Sequence, residues 1–190
     1  MLSRDESLML LAEYGKGAPW VKHCLAVADS ASMLGRTLES RCSIDQHYLW
    51  SGAVLHDIGR CITHDPILHG VEGHKLLVKL GFKEEAFICA SHILFGLEAS
   101  EAEQFGLPAR DFIPRRIEER LVPLVDLMIE DVQPTTLDRR FSSLRKRYIK
   151  NSFLINRLDR ARQRANSFLT QLSEEIGEPV EDFIRIRSGN

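Results

Sequence analysis

The stretch Ala53-Val-Leu-His-Asp-Ile-Gly-Arg60, AVLHDIGR, sets an imidazole and a carboxylate side by side at the end of an apolar run, directly before a glycine. Buried polar side chains need partners, and a neighbouring histidine and aspartate that both point inward cannot meet each other's full hydrogen-bonding capacity. A bound metal ion satisfies both. That reading requires further ligands from elsewhere in the chain.

Around this stretch the pattern is helical. Apolar residues recur at three- and four-residue spacing over 5–14, 19–38, 45–58, 69–80, 84–95, 99–106, 115–131 and 137–175. Sustained period-two alternation and Asn-Gly or Asp-Gly hairpin turns are missing, so an all-α fold is expected. Pro123 should start or kink a helix. Gly59 suits a left-handed helix C-cap just after the His-Asp pair. A length of 190 residues with 44% hydrophobic side chains supports one substantial core, and one domain is expected.

The overall charge of −2 and the lack of eighteen continuous apolar residues argue against a membrane span and against a globally basic nucleic-acid binder. The N-terminal MLSRDESLML carries mixed charge without the apolar core of a secretory signal, which points to the cytoplasm. Cys24, Cys42, Cys61 and Cys89 form no C-x-x-C pair and read as reduced thiols. Residues 139–164 hold ten Lys or Arg against the single acid Asp159. This segment is either a solvated helix balancing an acidic body or a surface for an anionic partner.

Three more polar residues sit in apolar surroundings: His23 in WVKHCLAVA, His92 in FICASHILF and Asp126 in LVPLVDLMI. His23 follows Trp20 by three residues and precedes Val27 by four, which turns it to the packed face. Such a histidine is commonly a core residue bonded to backbone, and a buried aspartate is often half of an ion pair. Together, His23, His56, Asp57 and Asp126 make a mixed nitrogen and oxygen set suited to divalent Mn, Fe, Co, Ni or Zn. The adjacent His56 and Asp57 leave a helix about 100° apart, so they share an ion only beyond the helix end or between their tips.

The order His23, His56-Asp57, Asp126 resembles the H…HD…D signature of the HD-domain metal-dependent phosphohydrolases, in the branch that continues His-Asp-Ile-Gly. LHGVEGHKLL and ASHILFG look like the two further histidine motifs of dinuclear members, and HILFGLEASEAEQFGLPARDFIPRRIEERLVPLVD resembles a small HDIG group found mainly in archaea. The resemblance covers about residues 19–131, stops short of the basic C-terminal segment, and implies a helical bundle of the HD-domain type; with the long C-terminal helix that the spacing predicts, a core over 1–136 and a basic helix and tail over 137–190, packed on the same domain, are expected. It also implies one or two divalent transition metal ions, with His69 and His92 joining the ligand set. His64 and His74 are rivals whose positions fit surface or supporting roles better, and His47 reads as structural.

Such a site suits hydrolysis of a phosphate ester or anhydride, and the resemblance implies a small soluble substrate, with a phosphorylated nucleotide as the best class. Asp57 is the natural bridging ligand and a candidate proton acceptor. Arg60 stands where related proteins often carry lysine and is placed to hold a phosphate, or else to end a helix as a surface charge. Arg115 and Arg116 are candidate substrate contacts, and Glu72 a candidate partner orienting His69. A metal-stabilised sensor or interaction module, its basic helix contacting RNA or protein, is the alternative; oxygenase chemistry at a mixed-valent di-iron pair is a third. Nucleic acid is a possible partner that the sequence does not specifically indicate, and no feature specifies an oligomeric state.

Overall fold

The computed structural model describes residues 2–187. Ser3 caps α1 (Arg4–Gly15) through a box with Glu6. Pro19, at the first turn where its missing N–H costs nothing, opens α2 (Pro19–Leu38). Asp45 accepts from the Tyr48 amide to start α3 (Gln46–Leu55), whose residues from Tyr48 to Leu55 are all buried. A helix apolar all round must lie at the centre, and α3 is packed by α1, α2, α5 (Lys83–Ser91) and α7 (Ile117–Met128).

Between these, a 3-10 turn (Ile58–Cys61) leads to α4 (Leu68–Lys79), and α6 (Ala99–Gln104) precedes α7. Leu94 and Phe95, just after α5, both have positive φ, at 50° and 58°. Beyond α7 a two-residue antiparallel pair, β1 (Ile129–Glu130) with β2 (Gln133–Pro134), turns the chain through Asp131 at φ 56°. The helical expectation therefore holds, apart from this short hairpin. Pro123 lies inside α7 without ending it.

The expected continuous helix over 137–175 is two helices, α8 (Leu137–Arg147) and α9 (Ser152–Ile176). The break has a local cause: the Asn151 side chain accepts from the Leu154 amide and starts a new helix. Beyond α9 the chain adds a further helix, α10 (Val180–Arg187). Leu158, Ala161, Ala165, Phe168 and Leu172 of α9, with Val180, Phe183 and Ile184 of α10, join the same hydrophobic cluster as α2, α3 and α7.

Gly59 corrects another expectation. It does not adopt the left-handed conformation of a C-cap. Its role is close approach: a Cβ there would lie 1.9 Å from the His69 carbonyl oxygen and 2.4 Å from the Gly73 nitrogen. The missing side chain lets α4 press its backbone against the turn after the His-Asp pair.

Candidate metal centre

His56 is the last residue of right-handed backbone at the end of α3, and Asp57 breaks from it at φ −103°, ψ 11°. The pair therefore sits at a helix end, where neighbouring side chains can converge. Around it α2 brings His23 and the first turn of α4 brings His69. His92 follows α5, and Asp126 comes from the last turn of α7.

Asp126 Oδ1 lies 2.9 Å from His23 Nε2 and 3.6 Å from His56 Nε2. Asp57 Oδ1 lies 2.9 Å from His69 Nε2 and 3.6 Å from His92 Nε2, while its Oδ2 lies 3.8 Å from His56 Nε2 and is taken by Arg60 Nε. The six side chains fall into two groups of potential ligands, His23, His56 and Asp126 on one side, and Asp57, His69 and His92 on the other. Asp57 has an oxygen toward each. A third grouping adds Cys24 to His56 and Asp57 from behind.

The backbone sets the tautomers. His23, His56, His69 and His92 each place Nδ1 2.7–2.8 Å from a carbonyl, of Asp131, Ala53, Asp65 and Cys89 respectively. A carbonyl only accepts, so each Nδ1 donates and each neutral ring turns the lone pair of Nε2 inward. The outcome is a cluster of acceptors facing acceptors. His69 and His92 Nε2 stand 3.2 Å apart, and His56 Nε2 and Asp57 Oδ1 are buried without a hydrogen-bond partner. Positive charge inside the cluster, from a metal ion or from protonated imidazoles, removes the conflict. The orphaned atoms and the imidazole-carboxylate chemistry fit a divalent transition metal.

Burial by itself raises the Asp57 carboxyl, but the imidazoles of His69 and His56 outweigh it and hold the group well below the usual carboxylate range. Asp126 behaves alike, with His23 and His56 overcoming burial. The His56 imidazole is pushed down by burial and, more strongly, up by Asp57 and Asp126. Burial keeps His92 below its ordinary value. Both carboxylates are thus ionised in a water-poor site and demand cationic company.

The structure brings all six sequence-predicted ligands together, with Arg60 beside Asp57. It leaves Arg115 and Arg116 elsewhere. Arg116 caps the far end of α7, ten residues from Asp126 or about 15 Å of helix, stacking on Tyr48 and pairing with Glu118. Arg115 precedes it there, its backbone bonded to Glu119. Glu72 pairs with Lys75 and not with His69, whose orienting partner is the Asp65 carbonyl. His74, expected at the surface or in support, is buried against Phe112, while His64 and His47 are exposed.

Two clefts meet at the cluster. One, about 130 Å³, runs between Arg60, His69, His92 and Asp126 and the apolar side chains of α8 and α9, including Phe141, Leu144 and Leu158. The other, about 470 Å³, is bordered by Trp20, Lys22, His23, Asp57, Arg60, His64 and Glu130. Arg140 and Arg147 line both. Sequence reasoning missed these two because nothing distinguishes them from the other arginines of a basic segment. Cys24 carried a signal, standing next to His23 in an apolar run.

No solved structure matches the chain. The chain is 36% identical over 151 residues to an uncharacterised protein of Methanocaldococcus jannaschii, covering 78% of this chain and 89% of that protein. It is also similar to two proteins named tRNA (cytidine(56)-2'-O)-methyltransferase, from Picrophilus torridus (29% identity, 66% of this chain) and Thermoplasma volcanium (28%, 76% of this chain). The matched segments span only 36% and 42% of those two proteins. Residues 20–133 match the HD domain, a stretch that begins just before His23 and ends just after Asp126. On that match and the M. jannaschii similarity, the chain belongs to the HD domain family, whose membership implies the metal-dependent phosphohydrolase superfamily.

Proposed function

We propose that the protein is a metal-dependent phosphohydrolase acting on a small phosphate ester or anhydride, with a nucleotide as the substrate class. The observation that carries this reading is Asp57: a buried, ionised carboxylate with one oxygen toward each of two imidazole groups. In this reading His23, His56 and Asp126 hold one divalent ion, His69 and His92 hold a second, and Asp57 is shared. Ions bound there supply Lewis acidity toward a phosphoryl group and toward water. The chain's own residues do the rest. The carbonyls of Ala53, Asp65, Cys89 and Asp131 fix the imidazole rings, and Arg60, tied to Asp57, presents its guanidinium to both clefts. In hydrolysis the water oxygen forms the new P–O bond, the P–O bond to the leaving group breaks, and the water proton leaves by way of Asp57 for solvent or the departing oxygen. Asp57 is assigned ligation between the two groups, and acceptance of the water proton is its second proposed role.

A reading in which the basic C-terminal helices serve as an RNA-binding face has less support. Arg145, Arg160, Arg162 and Arg164 are paired with Asp159, Glu98, Asp138 and Glu98, which spends much of their charge inside the molecule. The two relatives named as tRNA methyltransferases are nevertheless a reason to include tRNA among the substrates screened.

The test is metal analysis of anaerobically purified protein followed by a phosphoester and phosphoanhydride screen with Mn, Co, Ni and Fe. The expected result is phosphate release that Asp57→Ala abolishes. Release unchanged in that variant, or oxygen consumption with no release by the wild type, overturns the proposal.

A further inference from the structure

Arg140 and Arg147 lie seven residues apart, two turns of α8, on one face, and border both clefts at the cluster. They lie beyond the residues that match the HD domain. Both are held by a single atom: Oε1 of Glu130 is 3.2 Å from Arg140 Nη1, 3.5 Å from Arg147 Nη2 and 3.1 Å from the Ser143 hydroxyl. Two guanidiniums share one negative charge, and the bond to Arg147 is long. The pair is also incompletely satisfied, since Arg140 Nε is buried without any partner on a side chain only 15% exposed. Lys22 and Arg60 add positive charge along the wider cleft, against Asp57 and Asp131 besides Glu130.

This arrangement is a cation pair in excess of what the reacting phosphoryl group requires. In the reading above, that group is met by the metal cluster and Arg60. These two guanidiniums, fork-shaped donors suited to phosphate oxygens, border the same clefts as Arg60 and the cluster, where they can meet a further anionic group of the same molecule. Behind it, Leu127, Phe141, Leu144 and Leu158 wall a chamber for an apolar or aromatic body.

We propose that Arg140 and Arg147 form a second phosphoryl-binding subsite, so that the substrate carries two phosphoryl groups, as a nucleoside diphosphate or polyphosphate does, and not a lone phosphate. Glu130 is the internal carboxylate that holds the pair until the anion displaces it. The inference rests on the phosphohydrolase reading for the place of the first phosphoryl group.

The test is titration calorimetry of the full chain, metal-free and Mn-loaded, with methylenediphosphonate, a non-hydrolysable diphosphate, and with inorganic phosphate. The wild type is expected to prefer the diphosphonate by tenfold or more. The Arg140→Gln/Arg147→Gln variant is expected to lose most of that preference while phosphate affinity stays within about twofold and metal content is unchanged; Glu130→Gln should tighten diphosphonate binding severalfold. If the double variant fails to fold, Arg147→Gln alone, at a half-exposed position, should still lose at least threefold. A wild type without preference, or a preference that survives in the variants, overturns the subsite. Phosphoester hydrolysis absent from the wild type while the arginine-dependent preference persists rejects the hydrolase reading alone. Hydrolysis with an unaltered preference in the variants rejects the subsite alone.

Discussion

His69 and His92 face each other through Nε2 atoms 3.2 Å apart, and each ring is committed through Nδ1 to a backbone carbonyl. Neither neutral ring can donate to the other, so a cation between them is stabilising in direct proportion to how firmly those carbonyls fix the rings. Metal removal is therefore expected to destabilise the fold: free Mn²⁺ at a hundred times its dissociation constant adds about 2.7 kcal/mol over the metal-free protein. Scanning calorimetry with Mn²⁺ and with EDTA reads this directly. His92→Ala should bind one equivalent fewer while keeping the ion of the His23, His56 and Asp126 group; two equivalents retained would reject the dinuclear arrangement.

Gly59→Ala should act on the same site by steric means. The added Cβ meets the His69 carbonyl and the Gly73 nitrogen, both backbone, so α4 as a whole must move. A loss of about 1–3 kcal/mol is expected from the overpacking. Metal content should fall together with urea stability, because His69 moves with its helix. Stability lost without any change in metal content would show that α4 yields elsewhere.

His74 provides a pH dependence separate from the metal cluster. Burial, reinforced by Arg110 and Lys75, pushes its imidazole down to about 4 from an ordinary value of 6.5, and its Nδ1 has no partner. The unfolded chain takes up the proton first as pH falls. The stability contributed by the neutral ring is thus complete above pH 6.5 and disappears between 6.5 and about 4. At about 1.4 kcal/mol per unit the loss reaches at most about 3 kcal/mol across that window. His74→Phe, which keeps a ring against Phe112, should remove this part of the acid limb in urea melts at pH 7, 5.5 and 4. An unchanged slope would show that the ring is protonated in place.

The six clustered side chains were legible because each sets a polar group in an apolar helical context or matches a histidine motif; that conflict is written in one dimension. Arg140 and Arg147 were not, since exposed and cleft-lining arginines look alike until folding shows which carboxylate they share. The same holds for Asp65, which acts on His69 through its carbonyl, an atom every residue possesses. Arg115 and Arg116 follow Pro114 near a pocket-forming segment in the sequence, but the ten helical residues between Arg116 and Asp126 put them at the other end of α7. The break between α8 and α9 turned on one Asn151 side chain competing with continuous helical spacing. At Gly59, close backbone approach and left-handed conformation call for the same residue, so the sequence alone does not separate them.

Arg157 ties the C-terminal helix to the segment that carries His92. Its guanidinium is buried, pairs with Glu101 through Nε at 2.6 Å, and donates from Nη2 to the Gly96 carbonyl at 2.8 Å. That carbonyl follows Leu94 and Phe95, two side-chain-bearing residues in left-handed backbone, which cost roughly 1–3 kcal/mol each and persist only where the surroundings enforce them. Removing the arginine leaves Glu101 buried without its cation and the strained turn held only by the longer bonds from Arg164 Nη1 to the Phe95 and Gly96 carbonyls, 3.3 and 3.4 Å, so Arg157→Ala is expected to cost about 3–5 kcal/mol. Arg157→Met with Glu101→Gln removes both charges while the glutamine oxygen still accepts from the Glu98 amide that caps α6, and should recover much of the stability because no uncompensated charge remains buried. The recovery separates charge from anchoring. If the double variant regains its melting temperature but still holds less metal than the wild type, the Arg157 contact to Gly96 positions His92; if metal content returns with stability, the Arg164 bonds and the packing of the turn suffice.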